Sequence, residues 1–159
     1  MHSKIFQITE NLLSSEEYVT AETFYDNLPP MADYVSDLTE REAETCMMCL
    51  LDSALDGIFI RDGRELTFLG INQFVEEWIT QIKESAQTMN IETFRDLSTL
   101  YRHISLCNKT HREIESLIYY GADQEASADP FGVFIRHLYT ANIKPGTKFY
   151  IGGVVDFHW

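Results

Sequence analysis

The feature that most constrains the fold is a β-hairpin signal placed directly between two amphipathic helix signals. Asp62 and Gly63 lie between the β-prone runs IFIR and RELTF, a pattern typical of a tight two-residue turn. Apolar residues at helical spacing precede the hairpin and resume after it. The sequence therefore predicts a helix over 40–56, a hairpin near 58–69 and a helix over 71–87.

The first of these helices has recognisable signals at both ends. Thr39 and Glu42 have the spacing of a capping box, in which each side chain accepts a hydrogen bond from the other residue's backbone N–H. Gly57 suits the position just after a helix, because glycine adopts the left-handed conformation found there. The apolar face that we expect this helix to bury consists of Ala43, Cys46, Met47, Leu50, Leu51 and Ala54.

Both ends of the chain have the pattern of β-strands. The segment KIFQIT over 4–9 predicts a short N-terminal strand, and TKFYIGGVVDFHW predicts a C-terminal one. The adjacent Gly152 and Gly153 indicate a bulge or a close backbone approach in the C-terminal strand. We expect the two terminal strands and the hairpin to form one small sheet.

The remaining segments favour helices. Serines and glutamates near Ser14 predict a helix start, and Pro29–Pro30 separates that short helix from a second one. Further helices are predicted to end near Cys107 and at Gly121, followed by an acidic loop over 122–129. Pro130 then opens the last helix, with Phe134, Leu138 and Ile135 expected in the core.

These patterns predict a helix-rich α+β fold, with six to eight helices around a small, mostly antiparallel sheet. We expect a single domain over 1–159, since 159 residues that are 45% hydrophobic can bury a core of their own. The chain has no apolar run long enough to cross a bilayer, no secretory signal and an odd number of cysteines. We therefore expect a cytoplasmic protein with an acidic helical region over 10–56.

The charge of the chain is strongly uneven. Its formal net charge is -13, but residues 1–80 hold 16 acids and 4 bases, a net -12, whereas residues 81–159 hold 9 acids and 8 bases, a net -1. A surface this acidic repels nucleic-acid phosphates and anionic lipid headgroups, and it speeds the encounter with a basic partner. Direct binding to nucleic acid or to a membrane is therefore disfavoured.

Most of this acidity lies in one stretch, 14–44, which has a single base, Arg41. Carboxylates at helical intervals of about 5 to 6 Å resemble the spacing of phosphates along a nucleic acid, and interspersed aromatic rings can anchor a contact. The candidate partner-binding residues are the carboxylates Glu16, Glu17, Glu22, Asp26, Asp33, Asp37, Glu40, Glu42 and Glu44 and the tyrosines Tyr18, Tyr25 and Tyr34.

The leading hypothesis is a non-enzymatic, acidic binding module that engages a basic surface of a partner protein. In its sharpest form the partner binds nucleic acid and the module inhibits it by nucleic-acid mimicry, as anti-restriction and anti-CRISPR proteins do. A plain solvated surface that only maintains solubility is the alternative explanation of the charge.

An enzyme is the second hypothesis. His103, Cys107 and His111 have the spacing i, i+4, i+8 and would share one helix face, but the outer pair is about 12 Å apart, so a metal would need ligands from elsewhere. Cys46 and Cys49 have CxxC spacing without a second pair, in mid-helix, which favours packing over chemistry. We therefore predict no cofactor.

A third hypothesis is a homodimer without a separate ligand. Between Arg95 and Arg112 lie four bases and two histidines with Asp96 as the only acid, and this basic helix could pair with the acidic half of a second copy. The alternating acids of 123–129 lack the glycine and the closing glutamate of a calcium loop, which favours a solvated loop.

Overall fold

The computed structural model describes residues 2–26, 33–108, 116–120 and 127–158. They form a helix-rich α+β fold around a seven-stranded, mostly antiparallel sheet, as the sequence predicts. The strands are β1 (His2–Thr9), β2 (Tyr34–Asp37), β3 (Phe59–Asp62), β4 (Glu65–Phe68), β5 (Leu117–Tyr120), β6 (Ser127–Pro130) and β7 (Lys148–His158).

Six α-helical segments accompany the sheet within the described residues. They are α1 (Glu40–Cys46), α2 (Asp52–Leu55), α3 (Asn72–Gln87), α4 (Ile91–Phe94), α5 (Leu97–Asn108) and α6 (Phe131–Thr140). A π-helical turn, Met47–Leu51, joins α1 to α2, so the helix predicted over 40–56 is confirmed as one nearly continuous element. The described residues contain no helix that is both long and apolar enough to span a bilayer.

The sheet is centred on the two terminal strands. Its order is β3-β4-β7-β1-β5-β6. The seventh strand, β2, lies on the same side of β7 as β4: β4 pairs with residues 148–150 of β7, and β2 pairs with residues 155–158. Among the described strands only β1 and β5 pair in parallel, and the other pairs are antiparallel. The expectation that the termini share one sheet with the hairpin is thus confirmed.

Alternate residues of β1 face opposite sides of the sheet and build two cores. Phe6 and Ile8 join the larger core, which includes Phe149 of β7 and the buried residues of α1, α3 and α6. Ile5 faces the other side, where a smaller core also contains Val19, Phe24, Val155 and Phe157. The acidic segment 14–26 therefore forms the layer that covers this second face.

The two adjacent glycines of β7 mark a bulge. Phe6 pairs with Val154 and Ile8 pairs with Ile151, so Gln7 alone lies opposite Gly152 and Gly153. A Cβ atom on Gly153 would clash with the backbone of Val19. The predicted bulge with a close backbone approach is confirmed.

Gln7 connects this bulge to the acidic segment. Its Oε1 accepts hydrogen bonds from the backbone N–H of Val19 at 2.9 Å and of Gly153 at 2.8 Å, and its Nε2 donates to the carbonyl of Glu17 at 3.2 Å. Gln7 is buried, so the side chain has few alternatives to these partners. It fastens the segment that carries Glu16, Glu17 and Glu22 to the centre of the sheet.

Two helix predictions were wrong for the acidic stretch. Its first part forms two 3-10 turns, Ser15–Glu17 and Ala21–Phe24, instead of one longer helix. After the proline pair, which lies outside the described residues, the chain forms β2 instead of a helix. The reason is tertiary: residues 34–37 find an unpaired edge of β7, and strand pairing there outweighs a weak helical preference.

The prediction of a helix ending at Gly121 was also wrong for those of its residues that the structure describes. Leu117 and Ile118 belong to β5, which pairs with β1, while 110–115 and Gly121 lie outside the described residues. Ser127 and Asp129, expected in a loop, belong to β6. A short apolar run does not show whether it is helical or extended, and here pairing with the distant strand β1 made the segment a strand.

Smaller differences concern turns. Asp62 pairs with Glu65, so the hairpin turn is Gly63–Arg64, one residue later than expected, with Gly63 at a φ of +59°. The helical run to Cys107 breaks at Asp96, whose carboxylate accepts a hydrogen bond from the Ser98 N–H and begins α5. Phe134, Ile135 and Leu138 of α6 are buried, as predicted.

We expect Gln7→Leu to lower the free energy of unfolding by about 2–3 kcal/mol, because the N–H groups of Val19 and Gly153 would remain buried without an acceptor. Urea unfolding monitored by circular dichroism measures the change. Gln87→Leu, at an exposed position, is the matched control and should change stability by less than about 0.5 kcal/mol. Equal effects of the two substitutions would show that Gln7 does not anchor the segment.

Candidate partner-binding surface

All nine candidate carboxylates are exposed. They come from three elements that meet at β2: the segment 14–26 over one face of the sheet, α1 over the other face, and β2 itself at the edge. Within the described part of the chain β2 pairs with β7 alone, so its outer edge is open. The first element carries Glu16, Glu17, Glu22 and Asp26, the strand and its flank carry Asp33 and Asp37, and α1 carries Glu40, Glu42 and Glu44.

Three of these carboxylates, Glu17, Glu42 and Asp37, stabilise local structure, the first two as caps. Glu17 accepts hydrogen bonds from the N–H and the hydroxyl of Ser14, both at 2.8 Å, and these bonds lower its pKa, the backbone bond most. Glu42 accepts from the hydroxyl of Thr39 at 2.6 Å and from its N–H at 2.9 Å, and the hydroxyl contributes most to its lowered pKa. The Thr39–Glu42 capping box is therefore confirmed.

Asp37 links the segment 14–26 to β2. Its Oδ1 accepts a hydrogen bond of 2.7 Å from the backbone N–H of Ala21, at the start of the second 3-10 turn. This bond and the contacts of Gln7 hold the middle of the segment, at residues 17, 19 and 21. The first layer of the acidic surface thus has a defined position on the sheet.

Two further carboxylates lie beside basic side chains. Glu44 Oε1 lies 3.3 Å from Nη1 of Arg61, a side chain whose main partner is Asp52 through two bonds of 2.6 and 2.8 Å. Asp33 Oδ2 lies 3.4 Å from Nδ1 of His158. Both carboxylates are exposed to solvent, which weakens contacts of this kind.

The other four carboxylates form a distinct group, which we name the free acids: Glu16, Glu22, Asp26 and Glu40. None of them makes a hydrogen bond or an ion pair with another described residue. Three come from the segment over one sheet face and Glu40 from the helix over the other. These carboxylates are the ones that no bond to the described part of the chain occupies.

The aromatic residues of the stretch also divide into those with contacts inside the protein and one that is largely exposed to solvent. Phe24 is 3% exposed and belongs to the smaller core, whereas Tyr25 is 72% exposed. Tyr34 is 47% exposed but stacks on His158, with ring centroids 5.3 Å apart and planes at 10°. The half-buried Tyr18 lies under the guanidinium of Arg64, 5.0 Å from the ring centroid. Tyr25 is therefore the aromatic side chain best placed to meet a partner.

One polar cluster near this surface was missed in the sequence. Asp156, in the middle of an apolar strand, is 7% exposed and accepts hydrogen bonds from Lys4 and from Nδ1 of His2, the latter at 2.7 Å. Burial alone would raise the pKa of Asp156, but the bonds from Lys4 and His2, reinforced by the charge of Lys4, lower it. The signal was a lone acid within the run GGVVDFHW.

The residues of the enzyme hypothesis are only partly described. His103 Nε2 lies 3.8 Å from Cys107 Sγ, on one helix face as expected, and His103 Nδ1 lies 3.1 Å from Ser85 Oγ. His111 is outside the described residues, so the three-residue group stays a prediction. Across 2–26, 33–108, 116–120 and 127–158, no three His, Cys, Asp or Glu side chains converge enough to hold a metal ion.

The remaining candidate motifs have ordinary surroundings. Cys46 is half-buried and Cys49 exposed, and burial raises the pKa of the Cys46 thiol, which makes it less nucleophilic. Arg95 and Arg102 of the basic stretch are exposed, while its residues beyond 108 lie outside the described part. The acidic residues 123 and 125 lie outside it as well.

Comparisons with known protein families, with curated protein sequences and with solved structures found no match. The geometry described above is therefore the basis for any functional assignment.

We expect Asp156→Asn to lower the free energy of unfolding at pH 7 by about 2–3 kcal/mol, because Lys4 would remain largely buried without its counter-ion. The folded-state pKa of Asp156 is lowered, so its stabilisation is complete above about pH 4 and disappears as the pH falls through the folded-state value. The difference between the two proteins should therefore narrow in acid.

Urea unfolding between about pH 2 and pH 7 measures this pH dependence. Asp26→Asn is the control, since Asp26 is exposed and makes no bond with a described residue. A constant difference across the pH range would contradict the role assigned to the Asp156 carboxylate.

Proposed function

We propose that this chain is a non-enzymatic binding protein whose acidic surface around β2 engages a basic surface of another protein. The observation that carries the proposal is the group of free acids. Four carboxylates without a partner among the described residues extend from both sides of one open strand edge, and the exposed ring of Tyr25 adjoins Asp26 in sequence.

Their anchoring supports this function. Gln7 and Asp37 fasten the segment that carries Glu16 and Glu22, and the capping box at Thr39 defines the start of the helix that carries Glu40. A pre-ordered charged surface loses little conformational entropy when it binds. It also attracts a basic partner over a distance, so association is fast at low salt.

The sharper form of the proposal concerns the partner. Basic grooves large enough to meet carboxylates on both sides of β2 are characteristic of nucleic-acid-binding proteins, because those grooves bind rows of phosphates. The free acids would then occupy phosphate positions and the chain would act as an inhibitor of anti-restriction or anti-CRISPR type. We place this encounter in the cytoplasm, where the free cysteines Cys46, Cys49 and Cys107 would remain reduced.

We expect Glu22→Lys combined with Glu40→Lys to weaken partner binding at least about tenfold at low salt, because the change reverses one charge on each side of β2. Neither carboxylate caps a helix or bonds another described residue, so the fold should persist. The matched control is Glu76→Lys with Glu84→Lys, an equal change of net charge at exposed positions of α3.

The measurement is a pull-down from bacterial lysate at low salt, repeated at roughly 0.5 M salt, where the Debye length falls to about 4 Å. Proteins retained by the wild type and by the control variant, but not by the Glu22/Glu40 variant, are then identified and titrated. Displacement of such a partner by added DNA or RNA would support mimicry. Equal retention by both variants would exclude the surface around β2 as the binding site.

A further inference from the structure

The segment α4–α5 presents an apolar surface that nothing within the described residues covers. Of the large hydrophobic side chains that the structure leaves exposed, five come from residues 91–104 of this segment. We name them the α4–α5 stripe: Ile91 (80% exposed), Phe94 (63%), Leu97 (62%), Tyr101 (66%) and Ile104 (45%).

The opposite side of α5 is docked on the rest of the protein. Nε1 of Trp78 donates a 2.7 Å hydrogen bond to the carbonyl of Leu106, and His103 meets Ser85 of α3. Arg136 of α6 donates to the carbonyl of Cys107 at 2.5 Å. The position of α5 is thus set by polar contacts on its inner side, while the stripe faces outward.

The exposed area of the stripe has the size of an interaction site. Aromatic side chains contribute about 150–250 Å² each when buried, so five large side chains at these exposures present apolar surface on the order of 500 Å². That is close to the largest patches found on monomeric proteins, about 300–600 Å². It could form the centre of an interface, of which a stable complex needs about 800 Å² on each partner.

The spacing of the stripe is nearly the same when it is followed from either end. The positions advance by three, three, four and three residues from Ile91 to Ile104, with Leu97 near the middle. If two copies met antiparallel across a twofold axis, Ile91 would face Ile104 and Phe94 would face Tyr101. Such an interface is self-complementary, because each contact occurs twice.

The charges beside the stripe have the same property. Glu92 lies near its beginning and Arg102 near its end; both are exposed and neither makes an ion pair with a described residue. Antiparallel pairing would bring Glu92 of each copy close to Arg102 of the other. The stripe also lies in the half of the chain with a net charge of -1, so two copies can approach there without the repulsion of the acidic half.

We propose that the α4–α5 stripe is the interface of a symmetric homodimer, in which α4 and α5 of two copies pack antiparallel with Leu97 near the twofold axis. This mode differs from the pairing of the acidic half with the basic helix considered for the sequence, because it joins identical surfaces. It leaves the acidic surface around β2 out of the interface. A dimer would carry two such surfaces, and a partner with two sites would bind it with increased avidity.

Sedimentation velocity of the full chain tests the proposal, over a concentration series up to about 200 µM in about 0.15 M salt. We expect a concentration-dependent dimer with a dissociation constant between about 1 and 100 µM. Leu97→Glu places two carboxylates at the axis and should weaken the dimer at least about tenfold. Leu12→Glu, at a site 77% exposed in a different part of the fold, is the matched control and should dimerise as the wild type does.

A charge-swap series tests the antiparallel arrangement. Glu92→Arg and Arg102→Glu should each weaken the dimer, because each places like charges opposite one another, and the double variant should restore it. Circular dichroism confirms that every variant is folded. Three results would overturn the proposal: a wild-type protein that stays monomeric at every concentration, a dimer that Leu97→Glu does not weaken, or assemblies that keep growing beyond a dimer. If the double variant did not regain the dimer affinity of the wild type, the antiparallel pairing would be wrong.

Discussion

The rest of the structure depends on the antiparallel pairing of β1 with β7. These strands come from opposite ends of the chain, and one of their cross-strand pairs, Lys4 with Asp156, joins side chains 152 positions apart. Every other strand except β3 and β6 attaches directly to one of the two. Closing so long a loop costs conformational entropy, and burial of apolar residues on both faces of the pair offsets that cost.

This pairing also positions the acidic surface. The bulge at Gly152 and Gly153 allows the backbone of Val19 to approach β7 closely, and Gln7 supplies the hydrogen bonds that hold it there. Strand β2 pairs with the last residues of β7, which fixes the positions of Asp33 and Asp37, and the chain then continues into α1. The carboxylates therefore fall into three groups. Some accept hydrogen bonds at caps and backbone N–H groups, two lie beside basic side chains, and the free acids have no partner within the described residues.

The two halves of the chain suit different kinds of contact. The acidic half offers charge, which acts over a distance and weakens with salt. The α4–α5 stripe belongs to the nearly neutral half and offers apolar area, which acts only on close contact and depends little on salt. Separate surfaces of this kind allow a protein to associate with itself and with a charged partner without competition.

Several elements could be predicted because their signals are local. The capping box at Thr39, the glycine of the hairpin turn at Gly63 and the apolar period from Ile71 each act within a few residues, and the corresponding helices and hairpin are present. The terminal strands and the glycine bulge also followed from local residue patterns. Exposure of the acidic residues was expected, since an unpaired charge is rarely buried.

Other features depended on partners far along the chain. Strands β2 and β5 form because β7 and β1 offer free edges to them, and no pattern within four residues encodes that. The buried Asp156 is tolerated because Lys4 and His2 lie across the sheet. Which of the other acids pair with a distant residue and which have no partner within the described residues was likewise decided by tertiary structure. The sequence by itself determined the charge, the local turns and the strongly periodic helices, whereas the fold selected the neighbours, because a hydrogen bond needs two groups in contact and only packing brings distant groups together.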